Sequence, residues 1–251
     1  MSGTFPVVKC KRILLAEAAD GLDIHPYGQW TFRTNPGELA HIQLLATKFG
    51  RPISKVNVEI SPCTCNVIFS DEPNVGRPPL PSPPDLITDE NGIATLYMTA
   101  KDPRNARGFI DGQLYPFMYK IKGEKKSCHD LCTEKAFIVL LNSLFVILVW
   151  DHYTLEGIEP TWLDDVYPIF KQYANLYPVM TENFVDLGNY YEVVNLRKAI
   201  KASMELPVSH PNYMPVTRDL SKSKRQVIIE WLSKENPPVG DVEQLDRKSV
   251  V

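Results

Sequence analysis

Residues 88–99 read TDENGIATLYMT, and the fold of the N-terminal half turns on this stretch. Thr88-Asp89-Glu90-Asn91-Gly92 is turn chemistry, in which the Asn-Gly pair supplies the positive φ values that β-branched residues refuse. Ile93 to Thr99 then reads as a strand. Upstream, Lys55-Val56-Asn57-Val58-Glu59-Ile60 alternates polar and apolar side chains, as a half-buried strand must. Gly50-Arg51-Pro52 before it is a turn, and His41-Ile42-Gln43-Leu44-Leu45 is an earlier strand. Downstream, Leu114 to Ile121 follows the turn Asp111-Gly112, and Pro116 within it predicts an edge strand. Ala136 to Trp150 (AFIVLLNSLFVILVW) is apolar almost throughout. It is shorter than the ~20 residues of a membrane helix and carries Asn142 and Ser143 in its middle. It reads as buried strand, in two pieces broken at that pair, with no membrane span. At least five strands separated by turns predict an antiparallel sandwich.

The whole chain of 251 residues is 44% apolar and 23% charged, an ordinary globular balance. A net charge of −3 gives no basic field to steer it to nucleic acid or acidic lipid. Proline outnumbers glycine, 21 to 13, which excludes a protein of long uninterrupted helices. Pro73, Pro78, Pro79, Pro81, Pro83 and Pro84 crowd one stretch, which reads as a polyproline-rich surface loop over 73–84. The alternative for Pro78 and Pro81 is a ligand for an SH3-type groove. Lys9, Lys11 and Arg12 interrupt any secretory leader pattern. The five cysteines, Cys10, Cys63, Cys65, Cys128 and Cys132, are odd in number. Together these predict reduced thiols and a cytoplasmic location.

After about Glu156 the pattern becomes helical. Pro160 to Asp165 predicts a helix start with an acidic N-cap, Asp164-Asp165, and with Pro168 tolerated in the first turn. That helix runs through Ile169, Phe170, Tyr173 and Tyr177 to Pro178. A second is expected near Tyr190 to Met204, with Val193, Leu196, Ile200 and Met204 on one face. A third starts at the cap Ser221. It buries Val227, Ile228, Trp231 and Leu232, leaves Lys222, Lys224 and Arg225 to solvent, and stops at Pro237 and Pro238. The expected organisation is a β-sandwich over 1–155, a small all-α domain over 156–238 and a flexible tail over 239–251.

Catalytic sets are missing: there is no Gly-x-Ser-x-Gly and no glycine-rich phosphate loop. The sharpest constellation is Cys63-Thr64-Cys65 with Cys128-His129-Asp130-Leu131-Cys132. Two close thiolate pairs can hold zinc tetrahedrally, with His129 as a substitute ligand, or can be ordinary half-buried thiols. Asp151-His152 reads as a hinge. Tyr213-Met214-Pro215-Val216-Thr217-Arg218 is the candidate binding segment, with an Arg218–Asp219 ion pair fixing it into the third helix. Ser249-Val250-Val251 has the form that PDZ domains capture.

Three resemblances accompany this reading. The order Gly50-Arg51-Pro52, alternating strand, Thr88-Asp89-Glu90-Asn91-Gly92, strand, resembles the immunoglobulin-like sandwich modules of multidomain proteins. Trp162, Val166-Tyr167-Pro168-Ile169-Phe170, Met214-Pro215, Leu220-Ser221, Lys224-Arg225, Ile228 and Trp231-Leu232 resemble a small class I cytochrome c domain. There Met214 matches the distal iron ligand. The haem-attachment site reads Tyr173-Ala174-Asn175-Leu176-Tyr177 instead of Cys-x-x-Cys-His. The expectation is a haem-less, cytochrome-c-like domain without cofactor, in which Tyr173 and Tyr177 fill part of the vacated space. Gln172 to Met180, Asp186-Leu187 and Tyr213 to Ser221 are similar to iminophenyl-pyruvate dimer synthases of violacein-type pathways. In that family the segment lies between a β-rich region and a ferritin-like catalytic domain.

These readings predict an α+β chain acting as a non-enzymatic binding or assembly protein with a protein partner. One alternative is an accessory module acting in trans for a ferritin-like oxidative enzyme, with a ferritin-like protein as partner. The other is a zinc protein using Cys63, Cys65, Cys128 and Cys132.

Overall fold

Alternating burial builds the β half. In the computed structural model, which describes residues 20–63, 84–104, 111–128, 143–155, 157–176 and 185–240, there are nine strands and three α-helices among those residues. The strands are β1 (Leu22–Pro26), β2 (Thr31–Thr34), β3 (Leu39–Lys48), β4 (Arg51–Pro52), β5 (Asn57–Pro62), β6 (Leu86–Ile87), β7 (Ile93–Thr99), β8 (Gln113–Ile121) and β9 (Leu144–Val149). Strand β3 turns Ala40, Ile42, Leu44 and Ala46 inward, and β7 turns Ala94, Leu96 and Met98 the same way. Those residues can only be kept from water by a second apolar sheet face. It is supplied by Val58 and Ile60 of β5, Tyr115, Phe117 and Tyr119 of β8, and Phe145, Ile147 and Val149 of β9.

One sheet has β3 at its centre, paired with β1 on one edge and with β4 and β7 on the other. The second sheet runs β2-β9-β8-β5-β6. With the shorter β2, β4 and β6 set aside, β1-β3-β7 faces β9-β8-β5, the strand order of an immunoglobulin-like sandwich. The sheets are not wholly antiparallel as expected: β2 pairs with β9 in parallel, from Thr31 opposite Val146 to Thr34 opposite Val149.

Pro116 does not mark an edge. Strand β8 lies in mid-sheet, bonded to both β9 and β5. The β5 ladder ends at Pro62 opposite Phe117, and beyond it the Cys63 amide donates to the Pro116 carbonyl (2.9 Å). The proline nitrogen shares that side, beyond the paired residues, so its missing N–H breaks no rung. In the turn before β7 only Gly92 has positive φ (76°), not the Asn-Gly pair. A Cβ on Gly92 would also sit 2.7 Å from the Ala46 carbonyl oxygen, so the position admits only glycine. Asp89 completes the turn by accepting from the amides of Asn91 and Ile93. Of the 136–150 run, the second piece is β9, with Ser143 as the turn before it. The first piece and the proline-rich stretch up to Pro83 lie outside the described residues.

The helices are α1 (Tyr167–Leu176), α2 (Tyr190–Glu205) and α3 (Lys222–Leu232). A wide turn over Trp162–Val166 leads into α1, and its cap is Thr161 rather than an acidic residue. The Thr161 side chain accepts from the Asp164 amide, while Asp165 accepts from the Thr161 amide (2.8 Å) and from the Tyr153 hydroxyl (2.9 Å). The widened turn precedes Pro168, whose ring would crowd the Asp164 carbonyl of a regular α-turn. Trp162 is the hub of the helical core, with ring contacts to Phe170, Tyr190 and Trp231. Val239, where the tail was expected to begin, packs against this core. The Pro238 and Val239 carbonyls accept from the amides of Trp162 and Leu163 (both 2.9 Å). No helix among the described residues is long and apolar enough to cross a membrane.

The first turn of α3 joins the two cores. Its basic side chains do not all face solvent, as the sequence pattern suggested. Lys222 pairs with Glu38 (2.9 Å), Lys224 lies 3.5 Å from Asp111, and Arg225 donates to the Met204 carbonyl (3.1 Å). The Ser221 amide donates to Asp111 (3.1 Å), whose carboxylate is 8% exposed. Ser221 caps α3 as expected, accepting from the Lys224 amide. A buried carboxylate at this N-terminus offsets the unfavourable placing of lysines against the helix dipole.

Candidate functional site

The described surface holds a hollow of about 360 Å³ where the chain leaves one sheet for the other, lined by Tyr27, Gly28, Gln29, Phe32, His41 and Gln43. Strand β1 pairs with β3 up to Pro26 opposite Leu44, and the Tyr27 amide adds a further bond to the Gln43 carbonyl (2.8 Å). Gly28 then takes φ +88° with open space around it, and the chain turns into β2 of the other sheet. Phe32 packs edge-on against Phe145 in the core and is the innermost lining residue (centroids 5.9 Å). His41 and Gln43 stand on the outward face of β3, because their neighbours Ala40, Ile42 and Leu44 point inward.

His41 is oriented by its cross-strand neighbour. It lies opposite Tyr97 of β7, and the two rings stack at 5.1 Å with an interplanar angle of 8°. Tyr27 is 56% and Tyr97 58% exposed, and Trp30, beside Gln29, is 41% exposed. Among the described residues no Lys, Arg, Asp or Glu lines the hollow. On the same face of β1, His25 bonds to Asp23 through Nδ1 (2.9 Å). Such a lining stacks apolar faces and exchanges hydrogen bonds, with amides that both donate and accept.

The tyrosines of the adjoining core are not proton donors near neutrality. Burial, with Asp151 and Asp102 contributing, pushes Tyr115 up to about 12. Burial also raises Tyr119, and its hydroxyl has no hydrogen-bond partner among the described residues.

The sites expected from sequence lie elsewhere. Cys63 and Cys128 form a disulfide across 65 residues, instead of remaining reduced. Zinc coordination by all four cysteines requires that bond to be open. Cys65 and Cys132 lie outside the described residues, as does His129. Among the described residues no three of His, Cys, Asp or Glu gather as a metal-binding group. The Cys63–Cys128 pair covers Met118 and Leu144 on the outer face of the second sheet.

In the 208–219 loop, Arg218 does not pair with Asp219. Its guanidinium donates to the carbonyls of Val208, Val216 and His210 and lies 5.8 Å from the Tyr213 ring. Asp219 accepts instead from Thr217 (2.5 Å) and from Tyr173 (3.2 Å). Tyr173 and Tyr213 are therefore buried supports, whereas Met214 is 44% exposed. Tyr177 and residues 249–251 lie outside the described residues. Asp151, expected at a hinge, is buried and accepts from the Gly112 amide (2.7 Å).

Sequence reading missed the hollow because β1 and β2 are short and their residues show no long alternation. The available signal was Tyr27-Gly28-Gln29-Trp30 after Pro26, two large rings and an amide around a glycine.

No family model matches the sequence, and no curated protein matches it. Among solved structures, the D0-D1 domain of Intimin is similar at 12% identity over 51% of this chain and 48% of that one, with a TM-score of 0.28. The D00-D0 domain of Intimin gives 12% identity, 41% of each chain and a TM-score of 0.26. AvmM, which catalyzes macrocyclization in alchivemycin A biosynthesis, gives 12% identity over 55% of this chain and 93% of that one, with a TM-score of 0.23. The chain spans about half the length, or less, of the Intimin structures it matches. The activities of those proteins are not transferred to this chain.

Proposed function

We propose that this chain is a non-enzymatic binding protein that takes a small ligand in the hollow at the sheet-to-sheet crossing. The supporting observation is the hollow itself, about 360 Å³ and lined by Tyr27, Gln29, His41 and Gln43 on a corner held by strand pairing. Its size falls within the ~300–1,000 Å³ of small-molecule sites. Gln43→Ala and His41→Ala lie on the outward face of β3 and leave the core intact. A thermal-shift screen of small polar compounds is expected to yield ligands that raise the melting temperature of the native protein and not of these two variants. A screen without hits, or hits that stabilise both variants equally, overturns the proposal.

A second reading, assembly with a protein partner, is favoured by one observation. Val208, Met214 and Val216 are 54%, 44% and 40% exposed on the loop that Arg218 holds in place. The partner proposed is a ferritin-like protein, on the resemblance of Tyr213 to Ser221 to the dimer synthases read from the sequence alone. Crosslinking in source cells followed by mass spectrometry is expected to identify one, and Met214→Asp with Val216→Asp to release it. Unchanged crosslinks in the double variant would sink this reading.

A further inference from the structure

The lining of the hollow also restricts what it can hold. Among the described residues no Lys or Arg lines it to pair with a phosphate, sulfate or carboxylate. No described carboxylate lines it to pair with a cation, and the Asp23 carboxylate on the same sheet face is bonded to His25. A purely apolar ligand would bury the Gln29 and Gln43 amides without partners, at about 1–3 kcal/mol for each unsatisfied group. A neutral ring with hydroxyls around its rim and an apolar face suits this lining. Each hydroxyl both donates and accepts, as does each carboxamide. The C–H face of a pyranose lies flat on an aromatic ring, and Tyr27 of the lining is more than half exposed. The His41–Tyr97 stack fixes the imidazole before any ligand arrives, which lowers the ordering cost of binding.

We propose that the hollow binds a neutral pyranose unit of a glycan, stacked on Tyr27 and hydrogen-bonded by Gln29, His41 and Gln43. This rests on the reading of the hollow as a ligand site and names the ligand class.

The experiment is calorimetric titration of the full chain with cellotriose, maltotriose, mannotriose and chitotriose, and with a sulfated trisaccharide as the charged comparison. At least one neutral trisaccharide is expected to bind with Kd of about 1 mM or tighter. Tyr27→Ala and Gln43→Ala are each expected to weaken it by about tenfold. Tyr191→Ala, at an exposed position on α2, is expected to leave it unchanged. Melting temperatures check that each variant is folded. No binding by any neutral sugar overturns the proposal, as does tighter binding of the sulfated one or binding unchanged in Tyr27→Ala and Gln43→Ala. If the sugars fail while another compound binds and is lost in Gln43→Ala, the pyranose assignment falls and the binding reading stands.

Discussion

Glu38 takes a proton less readily than an ordinary glutamate. The Asn35 side chain donates to its carboxylate (2.8 Å) and Lys222 lies 2.9 Å away, and these hold its pKa below the usual 4.5. A carboxyl depressed in the folded state contributes stability above its unfolded pKa and loses it as pH falls through the folded one. Denaturant titrations from pH 6 downward are therefore expected to show stability declining below about 4.5, less steeply in Glu38→Gln. The effect is small, because both side chains are substantially exposed. Tyr119 gives the opposite sign. Its buried hydroxyl lacks a partner among the described residues, so Tyr119→Phe is expected to stabilise the protein by about 1 kcal/mol, read as a higher denaturation midpoint. At this scale the sequence was partly legible. Ser221 was readable as a cap because its hydroxyl follows Leu220 and stands just before the run that leads into the apolar pattern. Thr161, Asp164 and Asp165 are all capping types within five residues, and only geometry shows that Thr161 caps while Asp165 ties back to it. Arg218 was readable as a loop anchor, but not its partners, since carbonyls carry no sequence signature.

Strands β3, β5, β7 and β8 were legible because they alternate or sit beside turn signals. Pro116 misled because the edge rule concerns a lost donor, and here the ladder on the donor side ends at Pro62. Helix α3 was legible in its buried face and cap. Its basic first turn was not, since the carboxylates that meet it come from Glu38 and Asp111, more than 100 residues earlier. Ser221→Ala removes the acceptor for the Lys224 amide and is expected to cost about 1 kcal/mol. The disulfide was illegible for a related reason, because its partners stand 65 residues apart and the odd cysteine count pointed to free thiols. By chain entropy alone, closing that loop stabilises by about 4 kcal/mol. Cys63→Ser is thus expected to lower the denaturation midpoint strongly. Peptide mapping without reductant is expected to recover Cys63 joined to Cys128.

Across the whole molecule, two apolar cores meet through a polar seam. Asp111 receives the Ser221 amide and lies beside Lys224, Ser223 accepts from the Tyr153 amide (3.0 Å), and the Lys222 amide donates to Asn35 (3.1 Å). Seams of this kind couple cooperative units through a few charged hydrogen bonds, each contributing about 1.5–3 kcal/mol. Asp111→Asn is expected to cost about 2 kcal/mol and to split a single calorimetric transition into two. One unchanged transition would show that the cores are coupled by other contacts. The order of strands first and helices after was readable from the change in periodicity near 156, whereas the polar contacts between them were not, because they rest on single residues. The bonds from the amides of Trp162 and Leu163 to the carbonyls of Pro238 and Val239 carry a topological consequence. The helical unit closes like a clasp, with its incoming and outgoing segments side by side. A unit whose two ends share one gate can be lifted from its host chain or grafted into a surface loop of another without stretching either backbone.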